Sequence, residues 1–360
     1  MAQLLKNLYN QEYITLLSDS IQSLYPDFDT LKFKNTVFND TWIDKELKER
    51  MRHISTTLGL YLPNDYKKSI QILSQSFKKM NYSFGLENMI FQDFVEVYGL
   101  NEFHISMKAL EVFTIKSSSE FAIRAFILKY QIETMLQMKK WAYADDEHLR
   151  RLATEGCRPR LPWAVSLPLF KKEPSLVIEI LKILKHDSSK YVRKSVANNL
   201  NDISKDNPTI AKALAKKWFG ESKECDSMIK HGCRSMLKNS DREVLTLFGF
   251  TKPLNILLNN FKYTQNVKMG EDLFFEFDLE SINKLGLLRI EFIIHFLRKN
   301  GQLNKKVFKL TEADFKIKKK KFKKAYSFKK ISTRAYYKGE HKLSIIINGI
   351  LFQEVNFLVI

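Results

Sequence analysis

Three acidic residues stand in settings that need an explanation, and they are the first candidates for chemistry. Glu120 follows three serines and precedes an apolar run, so it is predicted in the first turn of a helix. Glu155 lies in the last turn of a predicted helix that ends at Gly156, where the helix dipole disfavours negative charge. At 100° per residue, Asp202 belongs to a polar row that borders an apolar helical stripe, and the row is Tyr191, Ser195, Asn198 and Asp202. Carboxylates gathered in one cleft stabilise developing positive charge and activate water.

Taken singly, two of these carboxylates also have a purely structural interpretation. A glutamate in a first helical turn complements the helix dipole, which would account for Glu120. Asp202 would equally serve to cap the turn that follows it, 203–207. Glu155 has no such favourable placement, and local rules broken in this way are frequent at functional sites.

A loop that carries arginines and a tryptophan follows the predicted helix end. Two prolines restrict the residues before them to extended conformations, so 157–163 is predicted to be an extended loop. It presents Arg158, Arg160 and Trp163, which suit a nucleic-acid backbone and an adjacent base. The alternative is that Trp163 packs in the core and the arginines lie on the surface.

The common catalytic and metal-binding motifs are missing from the sequence. It has no P-loop, no Rossmann glycine fingerprint, no HExxH and no GxSxG, and its seven histidines form no ligand-like cluster. Its three cysteines include no CxxC pair, which argues against a disulfide framework and a structural zinc site and favours a reducing cytosol. We expect no metal and no cofactor. Without a signal-peptide pattern or an apolar run of about 18–20 residues, we expect a cytoplasmic protein that does not contact membranes.

The chain is strongly basic, and the excess charge is concentrated near its end. Lys and Arg number 59 against 40 Asp and Glu, a net charge of +19 with a pI near 9.5. Residues 251–360 hold 22 of the basic residues and 10 of the acidic ones. A folded protein of this charge usually has a polyanionic partner, with nucleic acid ahead of a membrane surface.

The densest basic run, 316–330, mixes lysines with aromatic residues. Its central members are Lys318, Lys319, Lys320, Lys321, Phe322, Tyr326 and Phe328. The pattern predicts a strip that follows the phosphates of a nucleic acid, with a few aromatic contacts, and Arg334 is a further basic candidate. An equally good interpretation is an edge strand that lysines protect from aggregation, and both can hold at once.

The period of the hydrophobic pattern changes once, near residue 255. Before it the period is helical: the stretch 187–207 has a single apolar stripe, a capping Ser189 at its start and Pro208 just after its end. Leu149-Arg150 and Val192-Arg193 follow acidic cap regions and lie 43 residues apart. Spacing of about 40 residues predicts HEAT-like helix pairs over 1–255, stacked so that a concave face binds the partner. Ile123-Arg124 is a possible third copy.

After residue 255 the period is two. Alternating runs near 273–279, 288–296, 343–347 and 355–359 predict short strands, and Asn348-Gly349 predicts a hairpin turn between the last two. About 100 residues of such strands favour an immunoglobulin-like β-sandwich over 256–360. The predicted fold is therefore mainly α, a HEAT-like helical repeat followed by this basic sandwich.

Several segments resemble the AlkC-type DNA alkylation repair glycosylases, relatives of the AlkD group in the HEAT-like repeat superfamily. The resemblance covers essentially the whole chain, with one departure at Ala125, where proline is expected. Its motifs are ELKERMRHIS (46–55), LPNDY (62–66), SEFAIRAF (119–126), EGCRPRLPW (155–163), VRKSVANNLNDISKDNP (192–208), HGCRSMLKNSD (231–241) and STRAYYKGEHKLSIIING (332–349).

This resemblance implies a monofunctional DNA glycosylase that initiates base excision repair. It implies hydrolysis of the N-glycosidic bond of cationic alkylated bases, chiefly 3-methyladenine and also 3-methylcytosine, in duplex DNA and without base flipping. It places the catalytic residues at Glu120, Glu155, Trp163 and Asp202, with Arg158 as a DNA-binding residue. Arg151 and Arg160 are further DNA-binding candidates, in addition to the four lysines 318–321 and Arg334. We expect a monomer.

Two functions without catalysis compete with this interpretation. A DNA-binding HEAT-repeat scaffold would keep the fold and the charge, but it would not need the acidic residues beside the Arg-Pro-Arg-Leu-Pro-Trp loop. A protein-binding solenoid would explain the repeats but not the net charge of +19.

Overall fold

A computed structural model describes residues 4–80, 85–115, 117–331 and 334–360. The chain divides into two compact units, 1–232 and 233–360. The first two residues of the predicted motif 332–349 lie outside the described residues. No helix of the described segments combines the length and the apolar character that a membrane crossing requires.

The first unit is helical. Its described residues form fourteen α-helices, with 3-10 turns at Leu5–Leu8 and Leu86–Asn88. In chain order the helices are α1 (Gln11–Gln22), α2 (Thr30–Val37), α3 (Leu47–Tyr61), α4 (Tyr66–Lys79), α5 (Met89–Tyr98), α6 (Phe103–Thr114), α7 (Ile123–Lys129), α8 (Gln131–Trp141), α9 (Glu147–Glu155), α10 (Pro168–Lys172), α11 (Ser175–Leu184), α12 (Lys190–Asp206), α13 (Pro208–Trp218) and α14 (Lys223–Gly232).

Helix α12 forms where the apolar stripe predicts it. Its four stripe residues, Val192, Val196, Leu200 and Ile203, are fully buried. The Ser189 hydroxyl caps the start by accepting a hydrogen bond from the next turn's backbone, and the helix ends two residues before Pro208, which opens α13. α12 packs against α9 on one side and α14 on the other.

The helical repeat leaves a structural trace at two arginines. The Arg150 guanidinium donates to the carbonyl oxygens five and six residues earlier, those of Asp145 and Ala144. The Arg193 guanidinium does the same to Ser188 and Asp187. The 43-residue spacing therefore marks equivalent positions. Arg124, the possible third copy, makes different contacts.

The second unit joins two short helices to a β-sandwich. Its elements are α15 (Arg234–Lys238), α16 (Arg242–Leu247), β1 (Ile256–Tyr263), β2 (Asn266–Val267), β3 (Asp272–Ser281), β4 (Gly286–Leu297), β5 (Leu303–Phe315), β6 (Lys319–Ser327), β7 (Gly339–Ile347) and β8 (Ile350–Val359). One sheet has the order β1-β3-β6 and the other β2-β8-β7-β4-β5. The first strand begins at Ile256, whereas the compact unit begins earlier, at Cys233. The Arg242 guanidinium of α16 donates to the Asn348 carbonyl at 3.3 Å.

The sandwich core follows from strand alternation. On β3, Leu273, Phe275, Phe277 and Leu279 are buried, and they pack against apolar residues of the facing sheet. The predicted hairpin turn at Asn348-Gly349 is confirmed between β7 and β8. Both residues have positive φ angles, 46° and 77°, which asparagine and glycine tolerate best.

Candidate active site

A continuous chain of ion pairs joins the three predicted carboxylates. Arg151 contacts Glu120 closely and lies 3.7 Å from Glu155, measured from its Nη2 to the carboxylate Oε1. Arg158 then bridges the other two acids, with Nη1 2.5 Å from Glu155 Oε1 and Nε 2.9 Å from Asp202 Oδ2. Acidic and basic groups therefore alternate through the order Glu120, Arg151, Glu155, Arg158, Asp202, and we call this set the charge chain.

Local structure places each member of the charge chain. Arg151 and Glu155 lie four residues apart on α9, so they share one helix face. Glu155 is the last residue of that helix, as predicted, and Arg158 follows in the loop. Glu120 lies in a turn just ahead of α7 rather than in its first helical turn, and it accepts a hydrogen bond from Ser118 at 2.8 Å.

The polar row of α12 faces the charge chain. The Ser195 hydroxyl donates to Glu155 Oε2 at 2.5 Å, and the Tyr191 ring lies 5.1 Å from the Arg151 guanidinium. Asp202 lies inside α12 and accepts from Arg158 and from Lys205, so it pairs with cations instead of capping the next turn. Predicting the row from a 100° helical period therefore located three contacts to the site.

The charge chain is largely withdrawn from solvent. Glu155 is 5% exposed and Asp202 1%, while Glu120 is partly exposed. Burial lowers the pKa of Arg151 and of Arg158, but the neighbouring carboxylates outweigh burial and raise both pKa values above the usual one. Both guanidinium groups therefore stay charged at every physiological pH, which supplies the compensation that buried carboxylates require.

Arg124 closes the loop that carries the candidate side chains. Its guanidinium donates to the carbonyl oxygens of Gly156, Arg158 and Val165, at 2.9, 2.8 and 2.6 Å. These carbonyls lie at both ends of the loop, so a single buried side chain joins them. Burial lowers the pKa of Arg124 to about 10, and the group remains a cation near neutral pH.

Trp163 is exposed, so the alternative that it packs in the core is wrong. Trp163 is 63% exposed. Its backbone adopts a φ of 63°, a left-handed conformation that is unusual for a tryptophan. The Lys48 ammonium group of α3 donates to the Trp163 carbonyl at 2.8 Å and lies over the Phe121 ring. Contacts from a distant helix thus hold a strained residue at the surface.

Three of the four arginines predicted to bind DNA are already paired with an acid. Arg151 and Arg158 belong to the charge chain. Arg160 forms a bidentate pair with Asp206, at 2.8 and 2.5 Å. Their binding to DNA stays a prediction, and it requires phosphates to compete with these carboxylates.

The lysine run of the second unit lies at a sheet edge. Among the described strands β6 pairs with β3 alone, so its predicted position at a sheet edge is confirmed, and protection from aggregation stays a prediction. Lys319 contacts Glu280, and Lys321 lies 3.2 Å from Glu276, both on the neighbouring strand. Lys318 and Lys320 make no ion pair within the described residues, and Lys320 lies over the Phe315 ring.

The aromatic residues of that run are core residues, so the predicted aromatic contacts to nucleic acid are wrong. Phe322 is 7% exposed and stacks on Phe277 at 5.5 Å, and Phe328 is fully buried. Tyr326 is half-buried and accepts a hydrogen bond from Arg334, whose guanidinium lies over the Phe296 ring. The period-2 alternation turns these rings inward while the lysines face solvent.

Two family models match separate parts of the chain. Residues 113–236 match the family described as DNA alkylation repair enzyme, and this range contains the whole charge chain and Trp163. Residues 258–360 match the C-terminal Ig-like domain of the uncharacterised protein YhaZ.

Similarity to known proteins extends over the full length. One solved structure, the alkylpurine DNA glycosylase AlkC of Pseudomonas fluorescens bound to DNA containing an abasic-site analogue, is 31% identical. The alignment covers 99% of this chain and 100% of that one, with a TM-score of 0.94. The chain belongs to the AlkC-type DNA alkylation repair enzyme family. It is also 42% identical to YhaZ of Bacillus subtilis strain 168, an uncharacterized protein, over 99% of both chains.

Membership of the AlkC-type family confirms the resemblance inferred from the motifs. It also confirms the fold class, a helical repeat followed by an immunoglobulin-like domain. Sequence reasoning missed two residues that shape the AlkC-type site, Lys48 and Arg124. Arg124 could have been noticed because it stands among the buried apolar residues of α7. A buried arginine is unusual unless other groups accept its hydrogen bonds.

Among the described residues, one set of side chains comes close enough together to hold a metal ion. The ligand atoms of His186, Glu221 and Cys225 lie within 4.8 Å of one another. Lys185 and His186 both contact the Glu221 carboxylate, so cationic or hydrogen-bonding groups of the chain already occupy it. We assign no metal to this set.

Proposed function

We propose that this AlkC-type enzyme is a DNA glycosylase that hydrolyses the N-glycosidic bond of cationic alkylated bases in duplex DNA. The carrying observation is the charge chain, which gathers three carboxylates from three segments of the region that matches the repair family. Because the related AlkC is an alkylpurine DNA glycosylase, we extend that activity to 3-methyladenine and 3-methylcytosine in this chain.

The substrate's own charge sets what the enzyme has to supply. Alkylation at N3 leaves the base cationic and therefore a good leaving group, so strong protonation by the protein is unnecessary. Departure of the base leaves an oxocarbenium-like sugar. Preorganised carboxylates stabilise that positive charge, and they do so most strongly where water is excluded.

The carboxylates divide this work according to their contacts. Glu155 has one oxygen on Arg158 and the other on Ser195, which fixes its orientation. We assign to Glu155 and Asp202 the stabilisation of the sugar and the orientation or deprotonation of water, and to Glu120 a supporting role. The arginines offset the repulsion between these acids and a nearby phosphate backbone.

Trp163 is assigned a direct contact with the substrate. An exposed indole offers a π-face to the sugar or to the cationic nucleotide, and such an attraction is worth about 0.5–2 kcal/mol. An exposed position suits an approach to the lesion from the backbone side, so we propose that the base is not flipped into a pocket. We further propose simple hydrolysis without strand cleavage, by a monomer.

The test is the release of free methylated base from alkylated duplex DNA. We expect the wild-type enzyme to release 3-methyladenine, and Glu155→Gln and Asp202→Asn each to lower the rate about 10²–10³-fold, as for loss of one preorganised electrostatic group. Both variants should keep their affinity for undamaged duplex. Parental rates in both variants would overturn the assignment.

One observation favours a second candidate, the non-catalytic DNA-binding scaffold. All three carboxylates are engaged by cations, as they would be in a purely structural network. A scaffold would bind alkylated DNA and release no base, so the same experiment distinguishes the two functions.

A further inference from the structure

A basic groove lies between α12 and α14, on the helix that also carries Asp202. It has a volume of about 560 Å³. Its charged lining residues are Lys190, Arg193 and Lys194 from α12, and Lys223, Glu224 and His231 from α14. Five of these six side chains are basic or can become cationic, so the groove attracts anions.

The lysines of the groove differ from the arginines of the active site in being unpaired. Within the described parts of the chain, Lys190, Lys194 and Lys223 form no ion pair, and all three are exposed. By contrast, Arg151 and Arg158 are saturated by the carboxylates of the charge chain. An incoming phosphate can bind the groove without breaking any existing pair, because no carboxylate has to be displaced from these lysines.

Arg193 gives the groove a fixed cation. Its guanidinium donates to the carbonyl oxygens of Asp187 and Ser188, which hold the side chain in place without neutralising its charge. The groove therefore combines one positive charge held by backbone carbonyls with three exposed lysines.

We infer that this α12–α14 groove binds the backbone phosphates of duplex DNA beside the damaged nucleotide. The inference rests on the proposed function, which puts the damaged nucleotide at Asp202. Lys194 lies eight residues before Asp202 on the same helix, an offset of about 12 Å along the axis. One DNA strand carries a phosphate about every 3.4 Å of helix axis, so the contacted phosphates lie within about four nucleotides of the lesion.

The first test removes the positive charges of the three exposed lysines of the groove. The triple variant K190Q/K194Q/K223Q is compared with K172Q/K182Q/K217Q, which removes three exposed lysines from α10, α11 and α13 and has the same net charge. Affinity for undamaged and abasic-analogue duplexes is measured against salt. We expect the groove variant to lose at least about tenfold in affinity and to flatten the log–log salt slope by about 0.9 for each phosphate that is no longer neutralised. The control should stay within about twofold of wild type.

The second test asks whether the contacted phosphates lie where the groove predicts. Duplexes carry a single neutral methylphosphonate at successive positions on either side of the abasic analogue. Substitution within about four nucleotides should weaken wild-type binding, and it should have no further effect on the groove variant. The variant K190R/K194R/K223R, which keeps the charges, should bind like wild type.

Two results would overturn the inference. One is a groove variant that keeps the wild-type affinity and salt slope, or that loses no more than the control. The other is a methylphosphonate effect that persists unchanged in the groove variant. Because these are binding measurements, a wild-type enzyme that releases no base would contradict the proposed function while leaving the groove's role to be decided by affinity alone.

Discussion

At the scale of single residues, every acid of the charge chain is paired with a base. Removing one member of a buried ion pair leaves the other charge uncompensated, which typically costs about 3–5 kcal/mol. Glu155 and Asp202 both depend on Arg158 in this way. For that reason Gln and Asn, which keep shape and hydrogen bonding, are better probes of these carboxylates than alanine.

Asp93 provides a residue-scale prediction about stability and pH. Its carboxylate is buried beside Arg52, at 2.9 Å, with Glu96 and Tyr9 nearby, and Oδ2 has no hydrogen-bond partner within the described residues. Burial raises the pKa of Asp93 to about 6, because it outweighs the attraction of Arg52. The folded-state pKa of Asp93 lies above the unfolded value of about 3.9. The contribution of Asp93 to the free energy of unfolding is therefore complete below about pH 4 and is lost as pH rises through about 6.

We therefore expect Asp93→Asn to remove this loss of stability with rising pH. Between about pH 4 and about pH 7, the free energy of unfolding of wild type should fall relative to that of the variant by up to roughly 3 kcal/mol. Urea unfolding of both proteins across this range measures the difference. A difference that does not change with pH would contradict the raised pKa.

At the scale of elements, the 157–165 loop is held by side chains from helices far away in sequence. Lys48 of α3 donates to the Trp163 carbonyl, and Arg124 of α7 joins the two ends of the loop. These contacts maintain the left-handed backbone at Trp163. Lys48 is therefore a positioning residue for the indole.

Lys48→Met should loosen this loop without unfolding the protein. Because this hydrogen bond is exposed to solvent, it is worth about 0.5–1.5 kcal/mol, so base release should fall about two- to tenfold. Acrylamide should quench Trp163 differently in the variant, with Trp163→Phe used to isolate its emission, while affinity for undamaged duplex stays the same. Lys67→Met, an exposed lysine of α4, is the control. Parental rate and unchanged quenching would remove Lys48 from the positioning role.

The elements themselves could be predicted where local chemistry decides them. The stripe and cap of α12 and the Asn348-Gly349 turn are fixed by residues close in sequence. The polar row of α12, predicted from the same helical period, contributes three of the contacts to the charge chain. Local pattern and tertiary packing agree at these positions, so the sequence was sufficient.

Other features depend on packing between distant segments and could not be predicted. Arg124 finds its carbonyl partners 32 to 41 residues away, and Lys48 reaches a residue 115 positions away. Likewise, Phe322 and Phe328 were expected at the surface because the lysines around them are exposed. Which side of a strand faces the core depends on the second sheet, which the basic run does not reveal.

At the scale of the whole molecule, the net charge of +19 is spread over surfaces with different roles. Within the described residues, the α12–α14 groove presents Lys190, Lys194 and Lys223, and the edge strand β6 presents Lys320, without a carboxylate partner. Each phosphate that the protein neutralises adds to the salt dependence of DNA binding. Variants of one surface at a time therefore separate the contributions of the groove and of β6.

The quadruple variant K318Q/K319Q/K320Q/K321Q tests the β6 lysines. If they follow DNA phosphates, the salt slope should decrease by about one for each phosphate left without its lysine, and affinity should fall with it. Light scattering of the same samples tests whether the lysines protect the edge strand, because an edge strand without lysines pairs more readily with another chain. An unchanged slope together with increased aggregation would leave the lysines with edge protection alone.

The most direct test of the charge chain as a catalytic unit is single-turnover release of 3-methyladenine by wild type, Glu155→Gln, Asp202→Asn and the double variant. We predict a rate decrease of about 10²–10³-fold in each single variant. The decrease in the double variant should be smaller than the product of the two, because groups that act together are not additive. Wild-type release with parental rates in all three variants would contradict the central claim that these carboxylates act on the bond that breaks.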